Sequence, residues 1–129
     1  MKPIFGEHVK KILVTGGAGF IGSAFIRKIL RNNSIKIFNL DKCGYASHEN
    51  EIKDYAVKSN KEKYELVKID LKESEKVKDV IQKIDPDLIF HFAAETHVDR
   101  SIDSPLIFIE SNILGTFNLL QAGLSLFEK

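Results

Sequence analysis

The residues with the most chemical content lie near the N-terminus. Thr15-Gly16-Gly17-Ala18-Gly19-Phe20-Ile21-Gly22 follows the apolar run Lys11–Thr15 and opens an amphipathic stretch. Two glycine patterns overlap here, Gly17-x-Gly19-x-x-Gly22 and Gly16-x-x-Gly19-x-x-Gly22. Both serve the same physics. One glycine permits a tight turn, one lets backbone N–H groups approach a diphosphate, and one lets helix and strand pack closely. The helix start adds unpaired N–H groups and the positive end of a dipole. Asp41 closes a second apolar run about 20 residues further on, where a carboxylate accepts the ribose hydroxyls of a dinucleotide. Its charge would repel a 2′-phosphate, so NAD is favoured over NADP, a preference that the adjacent Lys42 weakens. A ligand-free turn and an ordinary turn acid are the alternatives. The strand before, the helix after and the acid at the right distance together weigh against them. Asp70-Leu71, after a third apolar run, is placed to touch an adenine ring, although Asp70 alone reads more readily as a helix-opening residue.

Other constellations carry less. Tyr64-x-x-x-Lys68 has the spacing of a tyrosine–lysine proton-transfer pair. Such a pair must share a helix, where residues four apart are neighbours. Here it falls on an expected strand, where four residues span about 13 Å. His8, His48, His91 and His97 have no metal-ligand spacing, and His91 reads as a packed strand residue. Cys43 is the one cysteine, which excludes an internal disulfide and a Cys-based zinc site. Lys58, Lys61 and Lys63 read as a solvated face.

The elements that must position these residues alternate. Strands are expected at Lys11–Thr15, Ile35–Asp41, Tyr64–Ile69 and Leu88–Ala93, with helices at Phe20–Arg31 and Lys72–Ile84. Asn32-Asn33-Ser34 is an expected turn, and Lys42–Lys63 an expected loop with one short helix. In the last element Leu106, Ile109, Ile113, Phe117, Leu120 and Leu124 step by three or four, which predicts one helix with that face packed. Ser104 is its expected cap and Pro105 its first residue. Short, strongly apolar strands separated by helices predict an α/β fold with a doubly wound parallel sheet. The 129 residues suit one domain, and 43% hydrophobic with 29% charged residues is a globular composition. A net charge of +1 argues against a basic nucleic-acid platform. No apolar run approaches the ~20 residues of a membrane span. Met1–His8 lacks the apolar core of a secretory signal, so a soluble cytoplasmic protein is the expectation.

The opening Ile12–Ser23 resembles that of the extended short-chain dehydrogenases that act on nucleotide sugars. A more specific likeness lies in His91-Phe92-Ala93-Ala94-Glu95-Thr96-His97-Val98-Asp99-Arg100-Ser101-Ile102, which resembles the dTDP-glucose 4,6-dehydratases. Phe108–Leu120, Asp41-Lys42 and Tyr45-Ala46 extend the likeness, which runs from about Lys10 to Ala122. The resemblance implies a Rossmann-type NAD-binding fold. It implies that Phe20 and Ile21 sit over the diphosphate, with Gly16, Gly19 and Gly22 shaping the turn. Asp41, Lys42, Cys43 and Gly44 would line the adenosine ribose, and Asp70 and Leu71 the adenine. Phe92, Ala93, Ala94, Glu95 and Thr96 would run along the nicotinamide half. Thr96 would also reach the sugar nucleotide, and Ser111 would contact NAD. Departures are Cys43-Gly44 where the family has Leu-Thr, and Ser47 where a glycine is common.

The family's tyrosine–lysine and aspartate–glutamate pairs follow the fourth strand and its helix. The implied chain is therefore a truncated NAD-binding domain, residues 1–129, with no catalytic residue of its own. The implied activity is removal of water from a dTDP-glucose-like nucleotide sugar, with a homo-oligomer as partner state and no metal, nucleic acid or membrane. An inactive NAD-binding remnant and a fragment of a UDP-sugar epimerase or decarboxylase are the alternatives. With later strands absent, the fourth strand would be an open edge.

Overall fold

The run Lys11–Thr15 forms β1, bounded as its apolar residues and following glycines dictate. The structure is a computed structural model that describes residues 4–31, 34–44 and 47–129. Asn32, Asn33, Tyr45 and Ala46, named above, lie outside the described residues. β2 is Lys36–Asp41, β3 Tyr64–Lys68 and β4 Leu88–His91. All pairings are parallel, in the order β3-β2-β1-β4. β1 pairs with β2 from Lys11↔Lys36 to Thr15↔Leu40, and with β4 from Ile12↔Leu88 to Thr15↔His91. The chain order reverses at β1, as in a doubly wound Rossmann-type sheet, so the switch point lies beyond the C-terminal ends of β1 and β4. Among the described residues β4 lies at one edge of the sheet, as expected.

The chain divides into two compact units. The first, Met1–Lys68 with Pro86–Phe92, holds the sheet, α1 (Phe20–Ile29) and α2 (Glu49–Ser59). Its core joins Ile12 and Val14 of β1 and Ile37 of β2 to Ile26 and Ile29 of α1 and Ile52 and Ala56 of α2. Each of the larger side chains there contributes about 1.5–3 kcal/mol by burial. The stretch expected as a loop with one short helix holds that helix as α2, 11 residues long. Ile52 and Ala56 lie one helical turn apart and are both buried, which anchors an otherwise polar segment. At the other end of the sheet Asp87 Oδ2 accepts the Lys10 and Lys11 N–H groups, both at 2.8 Å, tying the start of β4 to β1.

The second unit, Ile69–Asp85 with Ala93–Lys129, holds α3 (Ser74–Ile84), α4 (Val98–Asp103), α5 (Pro105–Phe108) and α6 (Gly115–Phe127). α3 packs on α6. Three expectations are corrected here. The single last helix is interrupted by a π-helical segment at Ile109–Leu114. The Ser104 side chain makes no capping bond, although Pro105 does open α5. The apolar stripe is not the packed face: Phe117 is 55% and Leu120 66% exposed, while Gly115, Asn118, Leu119 and Ala122 are buried. Gly115 decides this. A Cβ there would stand 3.0 Å from Leu71 Cβ, so a glycine lets α6 approach Leu71 closely. Asn118 Nδ2 then donates to the Leu71 carbonyl at 2.8 Å.

Candidate functional site

In the first unit the glycine turn is held almost entirely by β2. Gly16 N–H donates to the Leu40 carbonyl at 2.9 Å, and Gly19 N–H to the Gly16 carbonyl at 3.1 Å. Gly17 N–H donates to Asn39 Oδ1 and Ala18 N–H to Asp41 Oδ2, each at 2.9 Å. Asn39 and Asp41 are two apart on a strand and so share a face, which lets them take successive N–H groups. The Ala18 carbonyl in turn accepts His48 N–H at 2.6 Å.

With N–H groups 16 to 19 used inside the protein, the donors left for an anion are those of Phe20, Ile21 and Gly22. These occupy the first turn of α1, where no intrahelical acceptor exists. The glycines divide accordingly. Gly16, at φ 66°, makes the left-handed turn. A Cβ on Gly19 would meet only the Gly16 carbonyl, at 3.3 Å, so its other side is open to an approaching group. A Cβ on Gly22 would overlap the Gly16 carbonyl oxygen, so this glycine seats the helix on the turn. Gly17 serves a different end: a Cβ there would collide with Asn39 Oδ1 and Ile26 Cδ1. Of the two overlapping patterns, the Gly16, Gly19, Gly22 set shapes the turn at the start of α1.

Phe20 and Ile21 are 83% and 68% exposed, unusual for large apolar side chains and suited to covering a ligand. Asp41 is half-buried, with Oδ2 on Ala18 N–H and Oδ1 on Cys43 N–H at 2.7 Å. A carboxylate has about four lone-pair sites, so acceptor capacity remains for ribose hydroxyls in a pre-set orientation. Lys42 and Gly44 are exposed. Cys43 has a left-handed φ of 56°, closing the tight turn over Asp41. Burial, and then the nearby Asp41 and Glu49 charges, push its thiol above the usual value, which makes it a poor nucleophile. These features fit the adenosine diphosphate half of a dinucleotide.

At the switch point Thr15 Oγ1 is hydrogen-bonded to His91 Nδ1, and Phe92 N–H donates to the Thr15 carbonyl at 3.0 Å. Partial desolvation of its ring lowers the His91 pKa, favouring neutral imidazole, although His91 is exposed at the end of β4 and not packed as expected. Tyr64 and Lys68 lie on β3, the expected strand, and not on a helix.

The second unit carries the other expected site residues. Asp70 opens the turn into α3: its carbonyl accepts Glu73 N–H at 3.0 Å and its Oδ1 accepts Lys72 N–H at 3.1 Å. Leu71 is buried and packed near Gly115. Ala93, Ala94, Glu95 and Thr96 form the loop after β4, with Thr96 exposed. Ser111 is half-buried in the π-helical segment. Sequence reasoning missed its neighbour Asn112, which staples this loop. Asn112 Oδ1 accepts Glu95 N–H at 2.8 Å, and its Nδ2 donates to the Glu95 carbonyl at 3.0 Å. The π-helical insertion alters the helical register around this residue, a frequent arrangement at functional sites. Asn39 was missed as well, although a lone amide inside Ile37-Phe38-Asn39-Leu40 is a legible signal of a buried partner.

The chain is similar to known proteins in sequence and in fold. The chain is 45% identical over 114 residues to the dTDP-glucose 4,6-dehydratase of Neisseria meningitidis serogroup B, covering 88% of this chain and 31% of that protein. Among solved structures, the UDP-Glc/GlcNAc 4-epimerase of Campylobacter jejuni is similar at a TM-score of 0.79 and 33% identity, over 90% of this chain and 34% of that one. The dTDP-glucose 4,6-dehydratase of Bacillus anthracis, solved in complex with NAD, is similar at 0.71 and 34%, over 87% and 33%. The chain spans about three-tenths of the length of the curated relatives it matches. The family described as GDP-mannose 4,6 dehydratase matches residues 13–127, from inside β1 to the end of α6, and this chain belongs to that family.

Proposed function

We propose that this chain is the NAD-holding part of a dTDP-glucose 4,6-dehydratase. The observation that carries the reading is the division of donors in the glycine turn. Groups 16 to 19 are bonded internally, and those of Phe20, Ile21 and Gly22 are left for a diphosphate. Asp41, fixed by two N–H groups, is the ribose acceptor, beside Lys42, Cys43 and Gly44. In the same reading Asp70 and Leu71 serve the adenine, and Phe92 to Thr96 with Ser111 the nicotinamide half. Thr96 offers its hydroxyl to the nucleotide sugar. These roles rest on the family's motifs. When bound, NAD supplies a hydride acceptor. The chain's own part is to bind and orient: the helix start neutralises diphosphate charge, and Asp41 selects against a 2′-phosphate.

Dehydratase is favoured over epimerase by the run His97-Val98-Asp99-Arg100 and by sequence identity. Both enzyme types share the fold, so the higher TM-score of an epimerase does not separate them. Residues 1–129 are read as one NAD-binding domain that needs further catalytic groups. No helix among the described residues is long and apolar enough to cross a membrane, and the proposed setting is the cytoplasm. The exposed stripe on α6 supports a homo-oligomer. Calorimetric titration with NAD and NADP tests the cofactor reading. Saturable binding with NAD the tighter ligand is expected. Tighter NADP, or no NAD binding, overturns it.

A further inference from the structure

Asn39 is fully buried in the middle of β2, where the neighbours are Ile37, Phe38 and Leu40. Its amide bridges two parts of the first unit. Oδ1 accepts the Gly17 N–H at 2.9 Å. Nδ2 faces Tyr64 Oη at 3.0 Å and Glu49 Oε2 at 3.5 Å. Tyr64 Oη donates onward to Glu49 Oε2 at 2.7 Å. The bonds run in one sense, from the Gly17 N–H through the Asn39 amide and the Tyr64 hydroxyl to a buried carboxylate. Chains of this kind polarise one another in a low-dielectric interior. They also settle which way the amide points, because a flipped Asn39 would set its oxygen against Glu49 and its NH2 against the Gly17 N–H.

Stability alone does not call for this arrangement. Glu49 Oε1 is buried with no hydrogen-bond partner, and Lys53 Nζ is 4.0 Å away. An incompletely satisfied buried network is worse for stability than an apolar core. The turn is also shaped around the amide, since a Cβ on Gly17 would occupy the place of Asn39 Oδ1.

We infer that Asn39 is a positioning residue for the diphosphate-binding turn, oriented by Tyr64 and Glu49. It holds Gly17, and so the start of α1, in the pose that presents the Phe20 and Ile21 N–H groups. This deepens the NAD reading and rests on it for the ligand.

The test compares the wild-type chain with Asn39→Ala, Tyr64→Phe, Glu49→Gln and the double variant Asn39→Ala/Tyr64→Phe. Each is titrated with NAD, ADP and adenosine well below its melting temperature. Asn39→Ala should weaken NAD and ADP about tenfold, the worth of one net hydrogen bond, and leave adenosine unchanged. Tyr64→Phe, which does not touch the turn, should give part of that loss, and none in addition once Asn39 is gone. Glu49→Gln keeps an acceptor for Tyr64 but loses the charge, and should give a smaller loss than Tyr64→Phe. Amide hydrogen exchange provides a readout without ligand: Gly17 protection should fall in Asn39→Ala and in Tyr64→Phe. Wild type that fails to bind NAD, with Gly17 protection still dependent on Asn39, would overturn the cofactor reading and leave the positioning role standing. Unchanged Gly17 exchange in both variants, or an equal loss of affinity for adenosine and ADP, would overturn the positioning role. Should Asn39→Ala fail to fold, Tyr64→Phe alone decides through the same two readouts.

Discussion

In the proposed NAD reading, Asp41 is the carboxylate that sets selectivity. Two backbone N–H groups, from Ala18 and Cys43, fix its plane, so its charge meets a ligand without reorganisation. Asp41→Ala should weaken NAD and narrow the gap between NAD and NADP in paired calorimetric titrations, because the repulsion of a 2′-phosphate goes with the carboxylate. An unchanged ratio would remove Asp41 from the selectivity argument. His91 makes a prediction about pH. Partial desolvation lowers its folded pKa, so below the ordinary value the unfolded chain binds more protons. Stability is therefore present above about pH 6.5 and lost as pH falls toward the lower folded value. Glu49 works the other way, since burial raises its pKa and its contribution is lost as pH rises through that folded value. The comparison that isolates the histidine is wild type against His91→Asn in thermal melts between about pH 8 and about pH 5. The variant should show the shallower decline below about pH 6.5; parallel curves would assign the decline to other groups.

At the scale of elements, the contact between α1 and the turn that precedes it sets the geometry of the candidate site. Gly22 permits that contact, because any Cβ would run into the Gly16 carbonyl. Gly22→Ala should cost about 1–3 kcal/mol by overpacking against backbone that has nowhere to move. Gly44 is the control: nothing lies within 4 Å of a Cβ there. Gly44→Ala should change stability by less than about 0.5 kcal/mol. Denaturant titration of both variants checks the pair, and equal losses would mean that the Gly22 contact relaxes at little cost. The start and end of β1 were legible from an apolar run followed at once by glycines. The helix at Glu49–Ser59 was less so, since two buried residues one turn apart, Ile52 and Ala56, barely raise a periodic signal over a polar background.

At the scale of the whole molecule, α6, a helix of 13 residues, leaves Phe117, Leu120 and Leu124 exposed along one stripe. Exposed apolar side chains aligned along one helix favour association. Light scattering across a concentration series should show a dimer or higher species; a monomer that persists at high concentration would count against the oligomer. The chain should also fail to convert dTDP-glucose by itself. Its one Tyr-x-x-x-Lys spacing lies on β3, with Tyr64 bonded to Asn39 and Glu49 and its pKa raised, chiefly by burial. Product formation above the no-enzyme rate by the purified 129-residue chain would overturn this, and Tyr64→Phe would then be the first variant to assay.

What neighbouring residues control was determined by the sequence alone. Glycines set the turn, β-branched and aromatic runs set the strands, and the spacing from Gly22 to Asp41 set the dinucleotide reading. The run His91–Ile102 carried the family likeness, and the match over residues 13–127 bears it out. The tertiary structure decided what depends on partners distant in the chain. Gly17 and Ala18 donate to residues 22 and 23 positions away, so these N–H groups are consumed rather than offered to a ligand. α6 is apolar on more than one side, and periodicity cannot choose between the sides of such a helix. The choice was made 47 residues upstream, where the Leu71 carbonyl takes the Asn118 amide and Gly115 leaves room for the approach.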